Sequence, residues 1–533
     1  MARLADTADA IVIGAGPNGL VAANLLADAG WDVLVLEQEL SPGGAVRSGE
    51  LAAAGYLTEL GSAFYPFGVA SPVLRRLNLP DYGLRWRHAP SDLAHLLPDG
   101  RAAVLSRDLA ATAESVAQFA ATDAQRWQSA YRDWRVVGPQ VLAALFTPFP
   151  PVRPVGRLLR QLGPGRALRL ARRLLLPARR LGDELFDGEG ARALLAGCTL
   201  HADLTLEEPG GGVYGWLLAM LAQQHGFPVP VGGAQQVTAA LTRRLRSRGG
   251  KLYCGVRVER VAVAAGQARG VCSAGGEWWR ARRAVLADVS APALYRDLVG
   301  LSRLPPRFAD DLAGFRWDSA TLKVDWALAG PVPWRNPEVA GAAVVHLGGD
   351  VDGMSRYAAA LARDELPFEP FLVLGQLTTA DPQRSPPGTE ALWCYTHLPR
   401  RLDLPEAIER HVARVETLLE TYAPGFRSLI RGRFVAGPAK LAEQNPNLVN
   451  GAIGGGTAGL QQQLVFRPVP GLGRGDTPID RLYLASSAAH PGGGVHGGPG
   501  ANAARAALAR HRRLTGPLYG AAMAAAHRHL YAD

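Results

Sequence analysis

The hydrophobic pattern opens with a short apolar run at residues 10–13, a glycine-rich turn and an apolar helical stretch. A second apolar run, residues 33–36, follows and ends in Glu37. Runs without polar alternation, rich in β-branched residues, predict strands buried on both faces, as in a parallel sheet. Pro17 suits the first turn of the intervening helix and Gly30 its end. Downstream, residues 238–248 predict a helix stopped by Gly249-Gly250, and strands are predicted at 251–254, 256–261 and 283–287. A last strand is predicted at 479–487, before a glycine-dense loop and an alanine-rich helix. Two excursions separate these returns. Residues 70–108 carry short strand-like segments and 109–230 read as mainly helical. Residues 290–470 carry strand-like runs at 320–328, 342–347, 371–377 and 391–397.

The first unit has the chemistry of a nucleotide site. Its turn reads Gly14-x-Gly16-x-x-Gly19. Gly14 permits the tight turn, Gly16 lets a pyrophosphate reach the backbone, and Gly19 lets helix and strand pack closely. The helix start at Pro17 offers free N–H groups and a positive dipole end. Glu37, with Gln38 beside it, lies where a carboxylate accepts hydrogen bonds from ribose hydroxyls and disfavours a 2′-phosphate. Gly43-Gly44 and Arg47 follow, placed to turn backbone N–H groups and a positive charge toward a bound cofactor. The fold class is therefore α/β. A discontinuous Rossmann-type domain (residues 1–69, 229–290 and 471–515) is paired with an α+β substrate domain (70–228 and 291–470).

Composition narrows the field. The chain has 533 residues, 48% hydrophobic, enough for a large core in closely joined lobes. The net charge is +10, carried almost wholly by arginine. No nucleic-acid motif accompanies it, so no nucleic-acid partner is expected. Cys198, Cys254, Cys272 and Cys394 form no closely spaced pair, which excludes a redox disulfide and reads as a reducing compartment. Asp6 and Asp9 precede the first strand, unlike a signal peptide. With no run long enough to span a bilayer, a cytoplasmic protein is expected.

Two further stretches carry chemistry. From Trp134 to Gly182 there is no acid, and residues 153–180 interleave nine arginines with leucines, broken at Gly163-Pro164-Gly165 into two short helices. Such a segment is either an amphipathic contact for a membrane surface or a lid with solvated charge. The second stretch, residues 490–500, reads His-Pro-Gly-Gly-Gly-Val-His-Gly-Gly-Pro-Gly. Its glycine density implies close approach of backbone to a ligand. His490 and His496 stand there without a carboxylate cluster, so packing or cofactor contact suits them better than acid/base roles. No metal-ligand spacing is present.

Together the block 14–44 and the block 482–507 resemble FAD-dependent oxidoreductases of the phytoene desaturase and carotenoid isomerase type. The nearest likeness is to the branch that contains pyridine nucleotide-disulfide oxidoreductase domain-containing protein 2. Pro230-Val231-Gly232-Gly233 and Arg467-Pro468 fit the same pattern. The resemblance runs along nearly the whole chain and is weakest over 100–200. It implies non-covalent FAD, with Gly14, Gly16 and Gly19 on the pyrophosphate, Glu37 on ribose and Val258 on adenine. Gly493, Gly494 and Val495 would lie at the flavin end. Gly454-Gly455-Gly456 lacks the strand, helix and acid of a second fingerprint, so no NAD domain is expected.

The leading expectation is an FAD-dependent oxidoreductase. It would remove a hydride from a small apolar or amphipathic substrate, leaving a C=C or C=N bond and passing electrons to oxygen or a quinone. The sequence names no catalytic residue. One rival is a flavin amine oxidase with an aromatic cage, for which Trp278, Trp279, Trp317, Trp326 and Trp334 are candidates. Phe64 and Tyr65 are candidates for a substrate pocket or for core. The other rival is a flavin-bound scaffold or regulator at a membrane or partner, supported by residues 153–180.

Overall fold

The computed structural model describes residues 3–532. The first strand, β1 (Arg3–Ile13), is longer than its apolar run because its polar first half pairs with a strand from far downstream. Helix α1 (Pro17–Asp28) leads to β2 (Val33–Leu36), parallel to β1. The chain returns at β3 (Lys251–Tyr253), β4 (Val258–Ala264), β5 (Gln267–Ser273) and β6 (Glu277–Ala287), and again at β7 (Leu482–Leu484). The sheet order is β4-β5-β6-β1-β2-β3, with β7 pairing parallel to β6. Ala10, Ile11 and Val12 are fully buried, since helices or loops cover both faces of β1. The expected strand at 479–487 shrinks to three residues: Asp480 N–H turns to Gly266 O in the hairpin before β5, and Ala485 N–H makes the last bond to β6, at Ala287 O.

Around this sheet the helices are tied by specific contacts. Helix α2 (Val152–Leu175) lies on the second lobe and is interrupted at Gly163. Asn24 of α1 donates to Leu20 O at 2.8 Å and to Leu241 O of α3 (Gln235–Ser247) at 3.0 Å. Arg244 of α3 donates back to Asn24 Oδ1 at 3.1 Å and pairs with Asp28 at 2.9 Å. Helix α4 (Gly498–Arg510) follows β7 and lies against α1. A side chain at Gly500 would collide with Asn18 O of α1, so glycine there sets the distance between the two helices.

The second sheet has the order 430–436, 320–328, 390–398, 372–376, 342–347, 91–96, 102–105. It is antiparallel except where 91–96 runs parallel to 342–347. The strands Ala320–Leu328 and Glu390–Leu398 are buried at every position. Helices Glu189–His201 and Gly211–His225 cover one face, and helix Pro405–Tyr422 covers the other. This is why these antiparallel strands read as apolar runs rather than alternating ones.

A buried ion cluster joins the segment behind the glycine turn to the second sheet. Arg384 lies between Glu59 at 2.5 Å and Asp381 at 3.2 Å, and all three side chains are fully buried. Arg384 also donates to Pro230 O at 3.2 Å. Glu59 accepts from Ala234 N at 3.0 Å, and Asp381 accepts from Gly232 N at 2.9 Å. The Pro230–Gly233 segment is thus held by charge-assisted bonds. Removing the cation leaves buried Glu59 without a charge partner, while Asp381 keeps Arg87 at 2.9 Å. We predict that Arg384→Ala lowers unfolding free energy by about 3–5 kcal/mol in a denaturant titration. A loss below about 1 kcal/mol would show that the cluster is not a structural clamp.

Candidate functional site

The glycine turn is shaped by close packing. Gly14 has φ +90° and donates to Leu36 O at 2.8 Å. A Cβ on Gly16 would stand 2.6 Å from Asp288 Oδ2, and one on Gly19 would run into Gly14 O. The second glycine pair lies alongside. Gly43 donates to Ala15 O at 2.9 Å, and a Cβ on Gly44 would touch Gly16 Cα at 3.3 Å. Two carboxylates meet here. Glu37 accepts from Ala15 N at 2.7 Å and from Glu39 N at 2.9 Å. Asp288, just past β6, accepts from Gly19 N at 2.8 Å through Oδ2. Burial, reinforced by the charge of Glu37, pushes the Asp288 carboxyl up to about 7.

A cavity of about 640 Å³ opens beside this turn. Gly14, Gly16, Glu37 and Gln38 line it, joined by Gly44, Arg47 and Val258 from the following loop and β4. Phe315 and Trp317 stand on its other side. Pro17 and Gly19 lie behind the wall, at the first turn of α1. Gly43 supports the wall with φ +130°. Arg47 does not swing free: its guanidinium donates to Gly44 O at 3.0 Å and to Gln444 O at 2.6 Å. A trough of this kind fits FAD. Glu37 would hold the ribose, the backbone of Val258 the adenine edge, and the opposed glycines the diphosphate.

Gly493, Gly494 and Val495 lie in the loop before α4, outside this cavity's lining. The glycine density there has a cause that the sequence did not show. Side chains at 493, 497 and 498 would meet Gly454 O, Val21 and Pro491 at 2.8–2.9 Å, so the chain packs on itself. His496 is buried, sits edge-on to Phe146, takes a hydrogen bond from Gly498 N and pairs with Gly493 O at 3.1 Å. Burial holds the imidazoles of His490 and His496 down near 4, so both are neutral at physiological pH.

The Gly454–Gly456 run is a braced wall. Asp318 accepts from the N–H groups of Ile453, Gly454 and Gly456 at 2.6–3.0 Å. Arg467, 1% exposed, donates from the other side to Thr457 O at 2.8 Å, to Ser487 O at 2.7 Å and to Gly455 O at 3.2 Å. Gly493 rests on this wall.

The segment after Glu59 leads from the cofactor loop into the second lobe. Ser62 donates to Ala45 O at 3.0 Å, and two residues later Phe64 packs edge-on against Phe227 and Trp393. Trp393 meets Tyr395, and Tyr395 meets His201 and His397. His201 Nδ1 lies 3.4 Å from His346 Nε2, and His95 stands edge-on to His346. Burial lowers the pKa of His95, His201 and His346, which keeps these three imidazoles neutral, while His397 lies 3.7 Å from the Asp203 carboxylate.

The tryptophans proposed as a cage do not come together. Trp278 and Trp279 are on β6, Trp317 is at the cavity, Trp326 bonds Glu416 and Trp334 bonds Gln376. Tyr65 is buried against Trp86 as core. The aromatic residue that does pair with Phe64, Trp393, sits on a strand buried at every position, so periodicity gave it no distinction. Asp288 was missed for another reason: its partner Gly19 is 269 residues away.

The sequence profile of the flavin-containing amine oxidoreductases matches residues 18–507. Pyridine nucleotide-disulfide oxidoreductase domain-containing protein 2 of Mus musculus is 28% identical, over 94% of this chain and 93% of that protein. The zeta-carotene-forming phytoene desaturase of Myxococcus xanthus is 26% identical, over 91% of this chain and 90% of that enzyme. An oxidoreductase from Methanosarcina mazei shares the fold, with TM-score 0.60 and 17% identity over 94% of this chain and 99% of that one. With a fitting trough at its glycine turn and a profile match along most of its length, the chain belongs to the flavin-containing amine oxidoreductase family and is an FAD-dependent oxidoreductase.

Proposed function

We propose that the protein removes a hydride and a proton from neighbouring atoms of an apolar or amphipathic substrate, leaving a C=C bond. The observation that carries this reading is the aromatic group at Phe64, Phe227, Trp393 and Tyr395, into which the chain runs two residues after Ser62 bonds Ala45 of the cofactor loop. When bound, FAD supplies the two-electron acceptor that takes the hydride. This chain's residues position and dry the site. Glu37 and Val258 would anchor the nucleotide end, and the opposed Gly16 and Gly44 leave room for the diphosphate. Phe64 and Trp393 would give an entering substrate apolar contacts, and burial keeps His201 behind them neutral. The Myxococcus xanthus relative, named as a desaturase, supports the same reading. Electrons would then pass to a quinone or to oxygen.

The amine-oxidase reading makes the opposite kinetic statement. Purified protein, reduced under anaerobic light and then mixed with air, separates the two. We expect slow return of the oxidised flavin spectrum in air and faster return with an added quinone. Immediate reoxidation by air would favour an oxidase and a C=N product.

Contact with an anionic membrane surface is a second part of the proposal, and α2 motivates it. Gly163 interrupts α2 with φ +68°. On the first half Val152, Val155 and Leu159 share one outward face, with Arg153, Arg157 and Arg160 beside it. On the second half Leu168 and Leu175 face out, with Arg166 and Arg169 exposed near them. Leu158, Leu162 and Leu170 turn inward to the core. Arg172 and Arg173 pair with Glu184 and Asp133, but those five exposed arginines have no carboxylate partner among the described residues. Among the described residues no helix is long and apolar enough to cross a membrane, so the contact would be peripheral. We predict that wild type floats with anionic vesicles and not with neutral ones. Changing Arg153, Arg157, Arg160, Arg166 and Arg169 to glutamine should abolish flotation. Equal flotation of both proteins, or none with either vesicle, would remove the membrane contact.

A further inference from the structure

Asp288 is the acid at the glycine turn that has no role so far. Its backbone is fixed on both sides: its N–H donates to Ile13 O at 2.8 Å, and its carbonyl accepts from Asn447 Nδ2 at 3.2 Å. Its side chain therefore points where the sheet puts it, over Gly16 and Gly19. Oδ2 accepts from Gly19 N at 2.8 Å and would stand 2.6 Å from a Cβ on Gly16. Asp288 also lines the cavity. The N-terminal end of α1 favours negative charge, and here a carboxylate already occupies it.

The donors of the turn are largely taken. Ala15 N–H goes to Glu37, Gly19 N–H goes to Asp288, Leu20 N–H goes to Gly16 O, and Pro17 has none. The diphosphate of FAD brings further negative charge to the same few ångströms. The other charged groups on the cavity wall do not neutralise Asp288. Glu37, from β2, raises its pKa, and Glu39 shares the sign of charge. Arg47 is engaged with two carbonyls, Arg296 pairs with Asp297 at 2.7 Å, and Arg257 follows Val256 on the wall without a hydrogen bond or ion pair to Asp288.

Resting on the reading that this turn holds the diphosphate, we propose that Asp288 is a cofactor-binding residue that meets the diphosphate as a neutral carboxyl, so that FAD binding takes up one proton. The protonated carboxyl keeps one oxygen as acceptor for Gly19 N–H and offers an O–H to a phosphate oxygen. Before any phosphate arrives, burial already pushes this carboxyl up to about 7. An added anion moves it further in the same direction. Above the pKa of the free form, each unit of pH must then weaken binding by up to about tenfold.

The test is FAD affinity against pH. Protein stripped of FAD is titrated with FAD from about pH 6 to about pH 9, following flavin fluorescence. Wild type should show a flat region below neutrality and a loss of roughly tenfold per pH unit above it. Asp288→Asn keeps an acceptor for Gly19 and an N–H for phosphate, so it should bind FAD without that slope. Calorimetry of wild type at about pH 8, in two buffers of different protonation enthalpy, should show close to one proton taken up per FAD. A flat wild-type profile, an unchanged slope in Asp288→Asn, or no proton uptake overturns the proposal. Absence of FAD binding at every pH would instead overturn the site reading on which it rests.

Discussion

The close packing of the turn after β1 is the constraint on which the rest depends. Gly14, Gly16 and Gly19 leave no room for side chains because β6, from residue 277 onward, runs beside β1 and brings Asp288 over them. The chain must therefore return to this sheet before the turn has its final shape. It returns again at β7, and Gly500 then lets α4 lie against α1 behind the turn. A nucleotide site that looks local in sequence is closed by residues 250 to 480 positions away.

The lobes meet through two kinds of contact. Arg384 fixes the Glu59 and Pro230–Gly233 segments by charge, in a place where unpaired charge is expensive. Phe64 joins the same region to the aromatic group of the second sheet by packing. The first kind holds geometry and the second offers surface. Burial keeps His95, His201 and His346 within the second lobe neutral.

Much of this was legible in the sequence. The apolar runs at 10–13 and 33–36, Glu37, and the order of returns to the sheet follow from burial and glycine chemistry that act locally. The break of α2 at Gly163-Pro164-Gly165 was visible for the same reason. What the sequence leaves open is decided by neighbours distant along the chain. The strand at 479–487 has the composition for its full length, but its ends are claimed by tertiary hydrogen bonds. The glycines at 493, 497, 498 and 500 read in sequence as room for a ligand, and packing against residues 454, 21, 491 and 18 requires glycine there as well. The five tryptophans were equivalent on paper, and only the fold scatters them. Asp288 and Trp393 carry no local mark, since what gives them meaning is their neighbours across the sheet and across the lobes.

The central claim is that FAD sits in the trough beside Gly16 and Glu37. The most direct measurement is the FAD content of purified Gly16→Val against wild type, by absorbance after denaturation, with circular dichroism to confirm folding. The Cβ of a valine at 16 would stand 2.6 Å from Asp288 Oδ2, at the wall where the diphosphate should lie. We expect near-stoichiometric FAD in wild type and a folded, FAD-free variant. A folded Gly16→Val protein that retains full FAD would contradict the claim.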